Sequence, residues 1–246
     1  MRIPSGPHAL ARSARAGAAL GLSIAFVVSA GAPAGAADAE RPTVIELFQS
    51  QGCSSCPPAN AALIEFAARA DVLALNFAVD YWDRLGWRDT FAKPEFTARQ
   101  WAYARAMGRA EVFTPQIVVN GRVDGVGATT SEMGDLAERA DRGAAGPEAR
   151  IEPGAATIGA GAAPPRGADV WLVRYDPRVI EIAVRRGENA GRTLAHKNVV
   201  RELILLGRWN GEAERLALPA ASISGLADAV LVQASSAGPI LAAAKD

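Results

Sequence analysis

The sequence has little of what would place it in several common functional classes. It carries 26 basic and 26 acidic residues, so its formal net charge is zero and it lacks the basic footprint of a nucleic-acid-binding protein. It has only two histidines and no G-x-S-x-G motif, which leaves no sign of a Ser-His-Asp hydrolase. We therefore expect no nucleic-acid partner. His196, the only histidine beyond residue 36, is expected to be structural, and no metal site is predicted.

Long apolar runs are also missing, apart from a short one near the N-terminus. A basic start with three arginines precedes the apolar run 16–30, and residues 34–36 fit an A-x-A cleavage site. These three parts predict a signal peptide over residues 1–36, which makes the protein periplasmic or secreted. The alternative of an uncleaved anchor is disfavoured because the run is shorter than the ~20 residues that a spanning helix needs. We expect no stable membrane insertion after cleavage.

Cysteine is scarce, since Cys53 and Cys56 are the only two. In an exported protein a disulfide between them can persist. A bridge that closes so short a loop removes little entropy from the unfolded chain and adds little stability. The chemistry of the pair is therefore a better explanation of the spacing than a structural staple.

Strand-like and helix-like segments alternate after the signal peptide, in the order β-α-β-α-β-β-α. The predicted strands are residues 43–48, 72–79, 116–119 and 122–126, and the predicted helices are residues 59–70, 95–107 and 130–142. Such alternation favours an α/β fold with a parallel sheet, helices on its faces and an antiparallel edge. Residues 37–143 are predicted to form this domain.

Three regions depart from the alternation. Residues 80–93 (DYWDRLGWRDTFAK) form an aromatic, charged insert that fits neither period. Residues 144–167 are dense in Ala, Gly and Pro, which predicts a linker. Residues 168–246 contain short β-rich runs between turn residues, which predicts a second, small antiparallel β domain of the sandwich type.

The two cysteines fall between a predicted strand and a predicted helix. In a βαβ context a C-x-x-C motif is typical of a redox site. Cys53 would lie at the helix N-terminus, where free amides and the helix dipole favour a thiolate, and Cys56 would be shielded one turn further on. Pro57 and Pro58 are compatible with the first turn of that helix, where N–H groups have no intrahelical partner.

Thr114-Pro115 precedes the third predicted strand. A cis bond there, facing the cysteines, would leave backbone polar groups free to pair with a bound peptide or thiol. An ordinary trans proline at a strand entry is the alternative, and the sequence periodicity leaves both open.

Five other residues are candidates for the site. Glu46 and Asp80 are possible proton acceptors, Glu46 for Cys56 from within the first strand, with a satisfied or exposed carboxylate as the alternative. Tyr81, Trp82 and Trp87 are expected to bind substrate as a wall beside Cys53, together with Thr114; the alternative is that they pack the insert onto the domain.

Several motifs carry a resemblance to known families. GCSSCPPA and TPQIVVNG resemble the thioredoxin superfamily, and ELFQSQGCSSCPPAN, VDYWDRLGWRDTF, FTPQIVVNGR, ENAGRT and NVVREL resemble the bacterial DUF1223 family of exported thioredoxin-like proteins. The resemblance implies a thioredoxin-like fold, Cys53 and Cys56 as the redox pair, and Pro115 as the cis-proline. The Ser54-Ser55 dipeptide differs from those of the well-studied thioredoxins, glutaredoxins and DsbA-like oxidants, so it leaves the redox direction open.

These features predict an exported thiol–disulfide oxidoreductase that acts on protein or small-molecule thiols. The cysteine pair carries the electrons, so no cofactor is expected, and the partner is a thiol or disulfide substrate, most simply a protein. The alternatives are a Cu(I)-binding protein, for which two thiolates are suitable soft ligands, and a redox-inert binding or scaffold module.

Overall fold

The structure is a computed structural model that describes residues 1–3, 6, 37–143 and 145–246. The predicted signal peptide at residues 1–36 lies almost wholly outside the described residues. The described residues 37–143 and 145–246 form one compact unit. No helix in the described part of the chain is long and apolar enough to cross a membrane.

The described residues form helices and strands in a mixed order. The elements are β1 (Thr43–Gln49), α1 (Cys56–Phe66), β2 (Val72–Ala78), α2 (Pro94–Ala106), β3 (Gln116–Val119), β4 (Val123–Gly125), α3 (Thr130–Arg139), β5 (Ala149–Glu152), β6 (Ala155–Ile158), β7 (Ala168–Asp176), β8 (Ile180–Ala183), β9 (Thr193–His196), β10 (Val199–Trp209), β11 (Glu214–Ala217), β12 (Ala227–Ala234) and β13 (Ile240–Lys245). The first seven elements confirm the predicted β-α-β-α-β-β-α order and the α/β class.

Eight strands form one mixed sheet in the order β13-β12-β7-β10-β2-β1-β3-β4. Strand β2 is parallel to β1 and to β10, whereas the other pairs are antiparallel. Two small antiparallel sheets accompany it, one of β11, β6 and β5 and one of β8 and β9.

The C-terminal region differs from the predicted separate β domain. Strands β7, β10, β12 and β13 extend the sheet that β1 to β4 begin, and the predicted linker contains the β5–β6 hairpin. The reason lies at β2, whose outer side would otherwise present unpaired backbone groups as a sheet edge. There the Asn76 amide donates to Asn198 O at 2.9 Å, and the Asn198 side chain donates to Ala74 O at 2.8 Å.

The two faces of the sheet carry different helices. Because successive residues of a strand point to opposite faces, Ile45 packs with Leu63 of α1 and residues of α3, whereas Phe48 packs with Phe96 of α2. Strand β1 is fully buried and ends beside the N-terminus of α1. The sheet thereby fixes the position of the loop 50–55, which carries Cys53.

Candidate functional site

Cys53 and Cys56 form a disulfide at the start of α1, with their Cα atoms 5.5 Å apart. Cys56 is the first residue of the helix, which begins before the predicted residue 59 and carries its two prolines in the first turn. The Cys53 amide donates to Ser50 O at 3.1 Å, and the Cys56 amide donates to Cys53 O at 3.3 Å. These turns place Cys53 just outside the helix N-terminus.

Pro115 lies across from this loop, and its peptide bond with Thr114 is cis. The Ser55 hydroxyl is 3.3 Å from Cys53 Sγ and donates to Thr114 O at 3.4 Å. The structure therefore brings the cis-proline and the disulfide together, as the family resemblance implies. Ser55 is also in place to donate a hydrogen bond to a Cys53 thiolate.

The aromatic residues of the insert surround the same loop. Trp82 Nε1 donates to Thr114 Oγ1 at 2.8 Å, and a Cβ atom on Gly52 would lie 3.3 Å from the Trp82 Cβ. Trp87 Nε1 donates to Gln51 Oε1 at 2.9 Å. Tyr81 is half-buried, and its burial raises the pKa of its hydroxyl. Tyr81 and Trp82 also pack the insert onto the core, and contact of the three side chains with a substrate stays a prediction.

Asp89 is a contributor that sequence reasoning missed. Its buried carboxylate accepts hydrogen bonds from the Gln51 amide at 2.7 Å and from the Phe91 amide at 2.9 Å. Burial raises the pKa of Asp89 to about 6. The one available signal was its place in the insert, because its partner Gln51 is 38 positions away in the sequence.

Glu46 does not occupy the predicted position beneath Cys56. Its carboxylate accepts hydrogen bonds from Arg99 Nε at 2.6 Å and from the Tyr103 hydroxyl, and all three side chains are buried. The alternation of β1 points Glu46 to the face covered by α2, whereas Cys56 begins α1 on the other face. Asp80 is also engaged elsewhere, since it accepts from Thr97 Oγ1 of α2 at 2.6 Å.

The polar side chains beneath Cys56 are amides. Asn60 lies one turn into α1 and donates to Gln49 Oε1 at 3.1 Å, and Asn76 donates to Asn60 Oδ1 at 2.7 Å. All three are buried. An amide holds a hydrogen-bond network together but takes up no proton near neutral pH, so this layer positions Cys56 without acting as its base.

A loop from the far end of the sequence lies against the loop that carries Cys53. Residues 184–192, which connect β8 to β9, are here named the cover loop. Asn189 is fully buried and donates to Gln51 O at 3.0 Å and to Cys53 O at 2.8 Å. Glu188 accepts from the Ser54 amide at 3.1 Å and from the Ser54 hydroxyl at 2.7 Å, which lowers its pKa. Cys53 is 0% exposed and Cys56 is 1% exposed.

The cover loop is missing from the sequence-based site, although it contains residues 188–192 of ENAGRT, one of the motifs that carry the family resemblance. Asn189 and Cys53 are 136 positions apart, and nothing in either local pattern indicates their contact. His196 closes the same hairpin. It is buried, its ring nitrogens have no hydrogen-bond partner among the described residues, and burial lowers its pKa to about 4.

The chain is thus a mixed α/β protein that carries a C-x-x-C disulfide at the start of a helix. The model of the family described as "Protein of unknown function (DUF1223)" matches residues 44–233, and the chain therefore belongs to the DUF1223 family.

Two solved structures are similar to this chain. The crystal structure of protein AGR_C_4864 from Agrobacterium tumefaciens has a TM-score of 0.68 and 32% identity, over 82% of this chain and 92% of that chain. HBP35 of Porphyromonas gingivalis has a TM-score of 0.56 and 16% identity, over 84% of this chain and 75% of that chain, which supports a shared fold alone. No curated protein matches the sequence.

Proposed function

We propose that this protein is an exported, thioredoxin-like thiol–disulfide oxidoreductase of the periplasm or the extracellular space. The observation that carries the proposal is the Cys53–Cys56 disulfide at the start of α1, set against the cis peptide bond of Thr114-Pro115. The cysteine pair carries two electrons, so the reaction needs no organic cofactor. The substrate is a thiol or disulfide, most simply on a protein.

In the reducing direction, a Cys53 thiolate attacks a substrate disulfide, forms a mixed disulfide and releases one substrate thiolate. Cys56 then attacks Cys53 Sγ, so that the second substrate thiol leaves and the Cys53–Cys56 bond forms. The substrate gains two electrons, and its sulfurs take two protons from Cys56 and solvent. In the oxidising direction the same steps run in reverse.

The helix start supports the first of these steps. Unpaired amides and the dipole of α1 stabilise a thiolate at Cys53, and the Ser55 hydroxyl adds a donor. Cys56 has only amide neighbours in the layer beneath it, so its proton passes to the departing substrate thiolate or to water rather than to a buried carboxylate.

A redox-inert scaffold is the second candidate, because both sulfurs are buried. Cu(I) binding by the two cysteine thiolates is a further alternative. Among the residues that the structure describes, no group of three or more His, Cys, Asp or Glu side chains is arranged to hold a metal ion.

The reduction potential distinguishes the two leading candidates. We expect equilibration with glutathione buffers, followed by thiol alkylation, to give a value between about −270 and about −120 mV. We also expect insulin reduction or oxidative refolding of a reduced test protein to be lost in Cys53→Ser and retained in Ser131→Ala, at an exposed position of α3. A potential below about −300 mV would mark a stable structural bridge and favour the scaffold.

A further inference from the structure

We propose that the cover loop, residues 184–192, is an autoinhibitory cover of the Cys53–Cys56 disulfide, held closed by Asn189 and Glu188. Thiol–disulfide exchange then requires the loop to open. The inference concerns regulation of the site assigned above, and its biological meaning rests on the proposed oxidoreductase function.

Both cysteines are buried in the state in which the cover loop contacts the backbone around Cys53. A thiolate must reach one sulfur of a disulfide to attack it, yet Cys53 is 0% and Cys56 1% exposed. Asn189 holds this state from the side of the cover loop, because its one amide group donates to the carbonyls on both sides of Gly52, those of Gln51 and Cys53.

The closed state also opposes the reduced form through charge. The Glu188 carboxylate accepts from the Ser54 amide, beside the N-terminus of α1 where a Cys53 thiolate would be stabilised. A carboxylate next to a thiolate disfavours the thiolate. Departure of the cover loop therefore removes both the steric and the electrostatic obstacle.

The structure of the cover loop favours a low free energy of opening. Within residues 184–192 only Val184 and Asn189 are buried, and the other side chains are exposed. Hydrogen bonds between Val184 and Arg192 and between Gly191 and Val184 close the base of the loop, independently of the cysteines. Strands β8 and β9 form their own two-stranded sheet. Segments with few buried apolar contacts open at low free energy, so the tip can leave while the hairpin base stays in place.

Native-state reduction by dithiothreitol tests the cover. One dithiothreitol thiolate attacks a disulfide sulfur, forms a mixed disulfide and releases one cysteine thiolate. The second dithiothreitol thiol then attacks the dithiothreitol sulfur of this mixed disulfide, which closes a cyclic disulfide and releases the other cysteine, so that two electrons pass to Cys53 and Cys56. The rate is followed by quenched alkylation. We expect Asn189→Ala to raise it about tenfold or more, because two hydrogen bonds that hold the loop closed are lost. Arg186→Ala, at an exposed position of the same loop, should stay within about twofold of the parent.

Gly187→Ala provides a second variant that leaves Asn189 and Glu188 intact. Gly187 has φ +76°, and an added Cβ would lie 3.3 Å from the Trp87 Cβ, so the loop should shift and the rate should rise. Circular dichroism and the thermal midpoint identify variants that are globally unfolded, and all rates should converge in denaturant. Equal rates of reduction in the folded parent, Asn189→Ala and Gly187→Ala would contradict the proposal that the cover loop controls access to the disulfide. The reduction potential tests the proposed function separately. A potential between about −270 and about −120 mV together with equal reduction rates would contradict only the role of the cover loop. A potential below about −300 mV together with faster reduction of the variants would contradict only the oxidoreductase function.

Discussion

Two of the segments that contact the loop carrying Cys53, the insert and the cover loop, differ in how they are attached to the rest of the protein. The insert of residues 80–93 contributes a buried carboxylate, Asp89, and an indole, Trp82, that packs against the core cluster around Phe48 and Phe96. The cover loop contributes Asn189 and Glu188 through polar contacts, with most of its side chains exposed.

This difference assigns different tasks to the two segments. Burial of aromatic surface is lost outright when a segment leaves, whereas polar groups that separate exchange their partners for water, at a net cost of about 1 kcal/mol per hydrogen bond. The insert is therefore suited to a permanent support of the loop 50–55, and the cover loop to a reversible one. Substitutions in the insert should change global stability, and substitutions in the cover loop should change reactivity.

Trp82→Ala should produce the largest effect. It removes an indole that packs on the core and on Gly52, so we expect the free energy of unfolding to fall by about 2–3 kcal/mol. Denaturant unfolding at pH 7 measures this. Leu85→Ala is the matched control, because Leu85 is an exposed apolar residue of the same insert and should change stability by less than about 0.5 kcal/mol. Equal effects of the two would leave the insert without a supporting role.

Asp89→Asn should change how stability depends on pH. Burial raises the Asp89 pKa from 3.8 to about 6, so the folded state binds this proton more tightly than the unfolded state. The stability that Asp89 contributes is fully present below pH 3.8 and is lost as the pH rises to about 6. His196 acts in the opposite sense, since its pKa falls from 6.5 to about 4 and its contribution, present above pH 6.5, is lost as the pH falls to about 4.

The parent should therefore show opposing slopes between these pH values. In Asp89→Asn only the His196 contribution remains, and the stability difference between variant and parent should shift by about 2 kcal/mol in favour of the variant from pH 4 to pH 6.5. Chemical denaturation at several pH values measures this. His196→Leu, the reciprocal control, should shift in the opposite direction. A difference that is constant across this range would contradict the proposed burial of a titrating carboxylate in the insert.

The sequence was sufficient for features that depend on neighbouring residues. The order of the first seven elements follows from local periodicity, and the Asn120-Gly121 turn, with φ of 48° and 62°, is what that dipeptide predicts between two strands. The start of α1 was predicted only in part: the helical pattern begins at residue 59, whereas α1 begins at Cys56 and carries Pro57 and Pro58 in its first turn, where proline is tolerated. Such features need no knowledge of the rest of the fold.

Features that depend on pairing between distant segments were not predicted from the sequence. Glu46 has the right residue type for a buried acceptor, but the pleat of β1 directs it to Arg99 and Tyr103 on the opposite face. The turn-rich composition of residues 168–246 predicted a separate sheet, whereas backbone pairing at Asn76 and Val199 joins these strands to β2. Neither the position of the Glu46 side chain nor the pairing of β10 with β2 can be predicted from a few neighbouring residues, because each depends on a segment that is distant in the sequence.

Glu188→Gln should produce the smallest of the expected effects. It separates the influence of the Glu188 charge on the Cys53 thiolate from the influence of the position of the cover loop. The amide oxygen of Gln can still accept from Ser54, so the loop stays closed while the negative charge beside α1 is removed. A thiolate at Cys53 is then less disfavoured, and stabilisation of the reduced form raises the potential by about 10–20 mV. Equilibration with glutathione measures the potential, and the pH dependence of alkylation should show a lower pKa for the Cys53 thiol. Glu181→Gln on β8, exposed on the same hairpin, should leave both unchanged. If Glu188→Gln also leaves both unchanged, the cover loop acts on the disulfide by steric access alone.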